Sequence, residues 1–254
     1  MGGCCSVPSH VSNRYARSEV SQGESPRAEG TSGASTPASS VGGHLGELAT
    51  LNRSSPLRSS SIAPRTHMSR EQMVVSKVLN RVRNEYYRPN LKSSNKTRPN
   101  RGAEESRRVE RAKIEILRMR GQAMYDTNTN AVSVAMDGRA HNCGELTTLA
   151  RLYLEDEGYV ARTLEFVADH VVAVIGAGSG GLPADMSEWD SDIYICDPWS
   201  NIACLGNNYP EQFLAKMSRW QEEGKFIKID DRGFVSPLDE RWVNDVLEGG
   251  KTAF

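Results

Sequence analysis

The sequence predicts an α+β fold in which a helix beginning at a cysteine packs on an antiparallel sheet, and two observations predict it. A helical apolar stripe of Leu146, Leu149, Ala150, Tyr153 and Leu154 follows Cys143 and stops at Gly158. Strand-like runs come next. Tyr159–Val167 carries Val160, Leu164 and Phe166 on one side, His170–Ile175 reads as a buried strand after the Ala168-Asp169 turn, and Ile193–Cys196 runs into Asp197-Pro198. In an antiparallel arrangement of the last two, the start of one lies beside the end of the other, which sets Asp197 next to His170.

Taken from the amino terminus, the 254 residues divide by composition. Hydrophobic content of 38% and aromatic content of 7% are thin for a chain folded throughout, so part of the length is expected not to be globular. The near balance of 31 basic and 32 acidic residues hides an asymmetry: residues 1–120 carry 21 Lys and Arg against 10 Glu, and the remainder reverses the ratio. No apolar run approaches the length of a membrane span, and none near Met1 reads as a secretory signal. Five cysteines without a framework of spacings argue against a disulfide scaffold and fit a reducing compartment.

Met1-Gly2-Gly3-Cys4-Cys5-Ser6 fits the N-myristoylation pattern, with Gly2 as acceptor and Ser6 at the hydroxyl position. One acyl chain holds a protein on a membrane only marginally, so Cys4 and Cys5 read as S-palmitoylation sites that supply a second. A glycine-rich start with two idle cysteines is the plainer alternative. Residues 1–66 are otherwise rich in Ser, Gly and Pro, cannot bury enough apolar surface to offset ordering entropy, and are expected to be disordered. A transit peptide or a bacterial export segment shares this composition.

Residues 67–103 read as a basic helix and linker. Ser69-Arg70-Glu71-Gln72 fits a capping box, with Met73, Val74, Val78, Val82 and Tyr86 at helical spacing until Pro89, and Arg88–Gly102 as a loop. A second helix is expected from about Ala103 to Met124 with the stripe Val109, Ala112, Ile116 and Met119. Residues 71–120 carry 14 basic against 6 acidic side chains, which suits anionic lipid headgroups or simply a solvated face. No nucleic-acid motif accompanies the charge, so nucleic acid is not an expected partner.

The domain expected to carry chemistry spans 104–254. Cys143 at a helix start sits where the helix end favours a thiolate and free backbone N–H groups suit an oxyanion. His170 and Asp197 then complete nucleophile, base and orienting carboxylate in that order, each 27 residues after the last. Taken singly, each has a structural reading: a small buried thiol, a core-edge histidine, a turn residue before Pro198.

Cys143-Gly144-Glu145, Gly158-Tyr159-Val160-Ala161-Arg162, His170 and Asp197-Pro198 resemble the transglutaminase-like core, a branch of the papain-like cysteine enzymes. That family has a Cys-Gly-Glu helix, a Gly-x-x-Ala-Arg strand start, a His opening the next strand and an Asp-Pro after the third. The chain departs from it at Val172, where an aromatic residue is common, and in the longer second spacing. An acylated, Ser-rich amino terminus ahead of such a core also resembles bacterial type III effectors of the AvrPphB and YopT protease kind. The resemblance implies a cofactor-free cysteine protease, deamidase or transglutaminase acting on a host protein at the inner face of the host plasma membrane. Asn142 or the Cys143 backbone N–H would serve the oxyanion. A catalytically inactive adaptor of the same fold, tethered to the membrane, is the alternative from another class.

Two competing signals remain. Gly176-Ala177-Gly178-Ser179-Gly180-Gly181 satisfies G-x-G-x-x-G after a strand, with Asp197 21 residues beyond Gly176, but the following stretch is short, acidic and poor in helical pattern. Gly176–Asp192 is therefore expected to be a flexible acidic loop beside the site that disfavours acidic substrates. His141, Cys143, His170, Cys196 and Cys204 lack metal-ligand spacing, so no metal is expected. Downstream, Phe213, Leu214, Met217 and Trp220 read as a helix, Phe226–Ile229 as a strand and Trp242–Leu247 as a closing helix.

Overall fold

The computed structural model describes residues 68–125, 130–167, 169–229 and 232–254, within a compact unit spanning Thr66–Phe254. The expectations at Gly2, Cys4 and Cys5 and for the Ser-rich segment lie outside the described residues. Helix α1, Arg70–Val82, starts where Ser69 accepts a hydrogen bond from the Gln72 N–H at 3.0 Å. The Gln72 side chain does not complete the box; it donates to Ser76 and, at 2.9 Å, to the carbonyl of Ala203. Val75, Val78, Leu79 and Val82 are buried in the main core, and the helix continues as a π turn over Arg83–Tyr87. This corrects the domain boundary: the folded unit starts near residue 66 rather than 104, because α1 supplies a core face the sheet cannot cover without it.

After strand β1, Lys96–Thr97, and a 3₁₀ turn at Pro99–Arg101, helix α2 runs Gly102–Tyr125. It buries Ala112, Ile116 and Met119. A short helix α3, Ala131–Asp137, precedes α4, Cys143–Asp156. Helix α4 buries Leu146, Leu149 and Leu154 completely. Removing each from water stabilises the fold by about 1.5–3 kcal/mol. The helix ends as its sequence requires, with Gly158 at φ 86°, the left-handed conformation that glycine adopts without Cβ strain.

The main sheet contains β2 (Ala161–Phe166), β3 (Val171–Ile175), β4 (Gly180–Leu182), β5 (Tyr194–Asp197), β6 (Ile202–Leu205) and β9 (Lys251–Ala253), in the order β4-β9-β2-β3-β5-β6. Every pairing in it is antiparallel. Strand β3 is buried at all five positions, as a strand covered on both faces must be. A small second sheet joins β1 to β7 (Phe226–Ile229) and β8 (Gly233–Val235). Helices α5, Tyr209–Glu222, and α6, Glu240–Leu247, bring Tyr209 against Phe166 and Trp242 against His170, with Phe213 packed between Tyr209 and Trp242.

The expectations for Val160 and for Gly176–Asp192 are corrected here. Val160 is 73% exposed, because the chain enters the sheet only at Ala161; Leu164 and Phe166 alone hold the buried side. The G-x-G-x-x-G segment opens no helix. It turns through Gly176 into β4, which pairs antiparallel with β9, in place of the crossover helix and parallel strand of a dinucleotide-binding unit. Nor is Gly176–Asp192 a loose loop beside the His170 end of β3. It leaves from the far end, at Ile175, and is pinned by buried Met186 and Trp189, the latter donating from Nε1 to the Pro183 carbonyl at 2.9 Å.

Candidate active site

Cys143 is the first residue of α4. The Asn142 N–H donates to the Glu145 carboxylate at 3.0 Å, satisfying one of the donors that a helix start leaves open. Asn142 Oδ1 accepts from the Ser93 hydroxyl and the Ser94 N–H at 2.9 and 3.0 Å, and its Nδ2 donates to the Ser94 hydroxyl. The side chain thus brackets the start of α4 to the 93–94 segment. The Cys143 thiol donates to the Asp169 carbonyl at 3.6 Å, beside the His170 ring whose proton affinity it helps to raise.

His170 is placed by the turn before β3. Asp169 takes φ 53°, and the Phe166 N–H donates to the His170 carbonyl at 2.9 Å, so the chain reverses directly onto the strand. The imidazole is 1% exposed, stacks on Phe166 with centroids 5.6 Å apart, and lies against Trp199 and Trp242. Its Nε2 stands 3.0 Å from Asp197 Oδ2, which leaves Nδ1 as the ring nitrogen for Cys143. Strand pairing produces this contact: Ala173 faces Cys196 across β3 and β5, so the start of one strand and the end of the other fall together.

Asp197 is fully buried and fully engaged. Oδ1 accepts from the Ser200 N–H at 2.9 Å, and Oδ2 accepts from the Ser200 and Tyr209 hydroxyls as well as from His170. Burial opposes ionisation of Asp197, but His170 and Ser200 outweigh it and hold the carboxyl below its ordinary value. Burial likewise opposes protonation of His170; the Asp197 charge and hydrogen bond, reinforced by Cys143, push the imidazole up to about 9. A ring with that proton affinity is able to take a proton from a neighbouring thiol. At two other described thiols, burial pushes Cys196 far up and Cys204 up to about 12.

Cys143, His170 and Asp197 therefore come together as their order along the chain predicts. Sequence reasoning missed Tyr209 and Ser200, though a Ser three places after Asp197 is the signature of a side chain capping its own turn. It also missed Lys96 and Arg83, which clamp that turn from outside. The Lys96 Nζ donates to the Trp199 carbonyl at 2.7 Å while lying over the Tyr87, Trp199 and Trp220 rings, and an Arg83 Nη1 N–H donates to the Pro198 carbonyl. Beside the Asp197 turn opens a cavity lined largely by Lys and Arg. Residues 176–192 contribute nothing to its lining. Among the described residues no group of three or more His, Cys, Asp or Glu could hold a metal ion.

The fold and the site define an α+β chain with a cysteine at a helix start facing a buried imidazole–carboxylate pair. No protein-family model, no curated protein and no solved structure matches it.

Proposed function

We propose that the chain is a papain-like or transglutaminase-like cysteine acyl-transfer enzyme, a protease or deamidase acting on a host protein. The observation that carries this reading is the buried His170 ring, 3.0 Å from the Asp197 carboxylate, with the Cys143 thiol bonded to the carbonyl of the adjoining Asp169. An isolated core histidine needs only one such partner; a ring joining a thiol at a helix start to a fixed carboxylate has the arrangement of an activated nucleophile.

In the reaction, Cys143 Sγ attacks an amide carbonyl carbon and its proton passes to His170 Nδ1. The oxyanion takes hydrogen bonds from backbone N–H groups at the start of α4, since the Asn142 amide is engaged by Ser93 and Ser94. His170 returns the proton to the departing amine or ammonia, leaving a thioester on Cys143. A water deprotonated by His170 then adds to the thioester, releasing a carboxylic acid and restoring the thiol. Asp197 fixes the ring orientation and offsets the imidazolium charge throughout. Acylation at Gly2 with Cys4 or Cys5 would hold the enzyme at the inner face of the host plasma membrane.

Comparative mass spectrometry of host membrane proteins exposed to wild type or Cys143→Ala tests this reading. Cleavage, deamidation or cross-linking that requires Cys143 supports it. A cellular phenotype that survives Cys143→Ala at equal abundance replaces it with the inactive adaptor. Gly2→Ala tests the tether, which fails if membrane fractionation is unchanged.

A further inference from the structure

The cavity beside the Asp197 turn has a volume of about 460 Å³ and is walled by the 83–108 segment, residues 199–201 and the 216–225 end of α5 and β7's approach. Ten Lys and Arg side chains line it against two carboxylates, Glu105 and Glu223. Both carboxylates are already spent: Glu105 pairs with Arg108, and Glu223 is shared by Arg98, Arg219 and Lys225. Arg83, Arg88, Lys92, Lys96, Arg101 and Lys216 line the cavity with no carboxylate partner among the described residues. Arg83 also keeps a buried Nε donor with no acceptor. Buried donors are almost always satisfied, so an unmet one at a cationic wall points to an acceptor that binds there.

Burial, followed by like-charge crowding, lowers several of these groups. Lys96 is depressed by burial, Arg83 and Lys225; Lys92 by burial, Arg108 and Arg101; and Lys216 by burial, Arg83 and Arg219. Such crowding destabilises the free protein and is relieved by a multivalent anion. Guanidinium forks match phosphate oxygens bidentately, and a concavity of this volume suits a small molecule rather than a strand of nucleic acid or a folded partner.

We propose that this cavity is a binding site for a compact ligand carrying several phosphate groups, either a free polyphosphorylated small molecule or the headgroup of a phosphoinositide lipid. Arg83 and Lys96 reach both the cavity and the carbonyls of Pro198 and Trp199, so an occupant braces the turn that carries Asp197. Binding does not depend on the proposed chemistry, and its test reads no turnover, so the two readings fail independently.

The experiment uses the full chain, expressed without acylation, at physiological ionic strength. Calorimetry with inositol hexakisphosphate probes the free source. Co-sedimentation with phosphatidylcholine vesicles, with and without phosphatidylinositol bisphosphate, probes the headgroup. Each is repeated with Lys92→Gln/Arg101→Gln/Lys216→Gln, whose side chains make no ion pair among the described residues, and with Arg107→Gln/Arg111→Gln/Lys113→Gln on the exposed face of α2 as a charge-matched control. The expected result is binding in at least one arm that weakens about tenfold or more in the cavity triple and stays near wild type in the control. A soluble-arm response identifies a free ligand, and a vesicle-only response a lipid headgroup. Absence of binding in both arms, or equal loss in both triples, overturns the proposal.

Discussion

The Thr147 hydroxyl donates to the carbonyl of Val171 at 3.0 Å, fastening the helix that begins at Cys143 to the strand residue immediately after His170. Both partners are buried. The bond sets the nucleophile-to-base distance through a few residues of regular structure on either side. Thr147→Val keeps the shape but leaves that carbonyl unpaired, so stability is expected to fall by about 1–3 kcal/mol. Reaction at Cys143 should slow by roughly tenfold as the helix start loses its register. Denaturant titration and the rate of Cys143 alkylation check the two effects separately.

Asp197→Asn tests the carboxylate. The amide can retain contacts to Ser200 but no longer carries the charge that raises His170. Turnover on an identified substrate should drop by about three to four orders of magnitude with little change in KM, by analogy with loss of the orienting carboxylate in serine triads. Iodoacetamide labelling at Cys143, followed by peptide mapping, should slow, while Cys196 and Cys204 stay unreactive in both proteins because their thiols are buried and raised. Equal labelling of Cys143 in the two proteins would leave Asp197 as a turn residue only.

Stability should depend on pH through the same pair. The Asp197 contribution is present above the ordinary carboxylate range near 4 and fades as pH falls through its lowered value. The His170 contribution is complete below about 6.5, the ordinary imidazole value, and is lost as pH rises through about 9. Wild type should therefore gain most over Asp197→Asn/His170→Gln between about pH 4 and 6.5, and the gain should shrink towards pH 9. Melting temperatures of both proteins across that range decide it; a constant difference would contradict the shifts.

The glycines after β3 separate two roles. A Cβ at Gly176, which has φ 82°, would stand 2.2 Å from the Asp192 carbonyl oxygen, whereas one at Gly178 or Gly181 meets nothing. Gly176→Ala should cost at least about 2 kcal/mol, from strain and a backbone clash together. Gly178→Ala and Gly181→Ala should unfold like wild type. Thermal denaturation of the three variants distinguishes a turn glycine from the phosphate-approach glycines of a dinucleotide site.

Much of the site was legible because its signals are local. Cys143 precedes an unbroken helical stripe, His170 opens an apolar run, and Asp197 closes another, so their placement needs only strand pairing between near neighbours in sequence. What escaped depends on distant segments. Lys96 reaches Trp199 across more than a hundred residues, and Tyr209 reads as an ordinary helix start until α5 folds back over Asp197. The three-residue strands β4, β8 and β9 are too short to show an alternation. Val160 carries the right residue type but lies a position outside the sheet, which register alone reveals. The opposed charges of the two halves were visible in composition, yet only the fold shows basic residues from 83–108 and 216–225 converging on one cavity.

Lys251 offers a check on how the sheet edge is held. Its ammonium is buried and donates to the carbonyls of Ala184, Leu247 and Gly249 at 2.7–2.9 Å. Lys251→Met keeps the stem but strands three acceptors, so a loss of about 2–4 kcal/mol is expected. Unfolding by denaturant measures it, and hydrogen exchange at β4 and β9 should rise before that at β3.

Strand β9 sits between β2 and β4 although it follows every other described element in the chain. During synthesis, β2 and its neighbours emerge well before the strand that completes their hydrogen bonding. Phe166, against which the His170 ring stacks, pairs with Lys251, so the ring's support is finished only after this late arrival. A nascent or threaded chain thus lacks an assembled site until its distal segment joins the sheet, and closure over so long a loop is intrinsically slow. The topology makes assembly around His170 wait on β9.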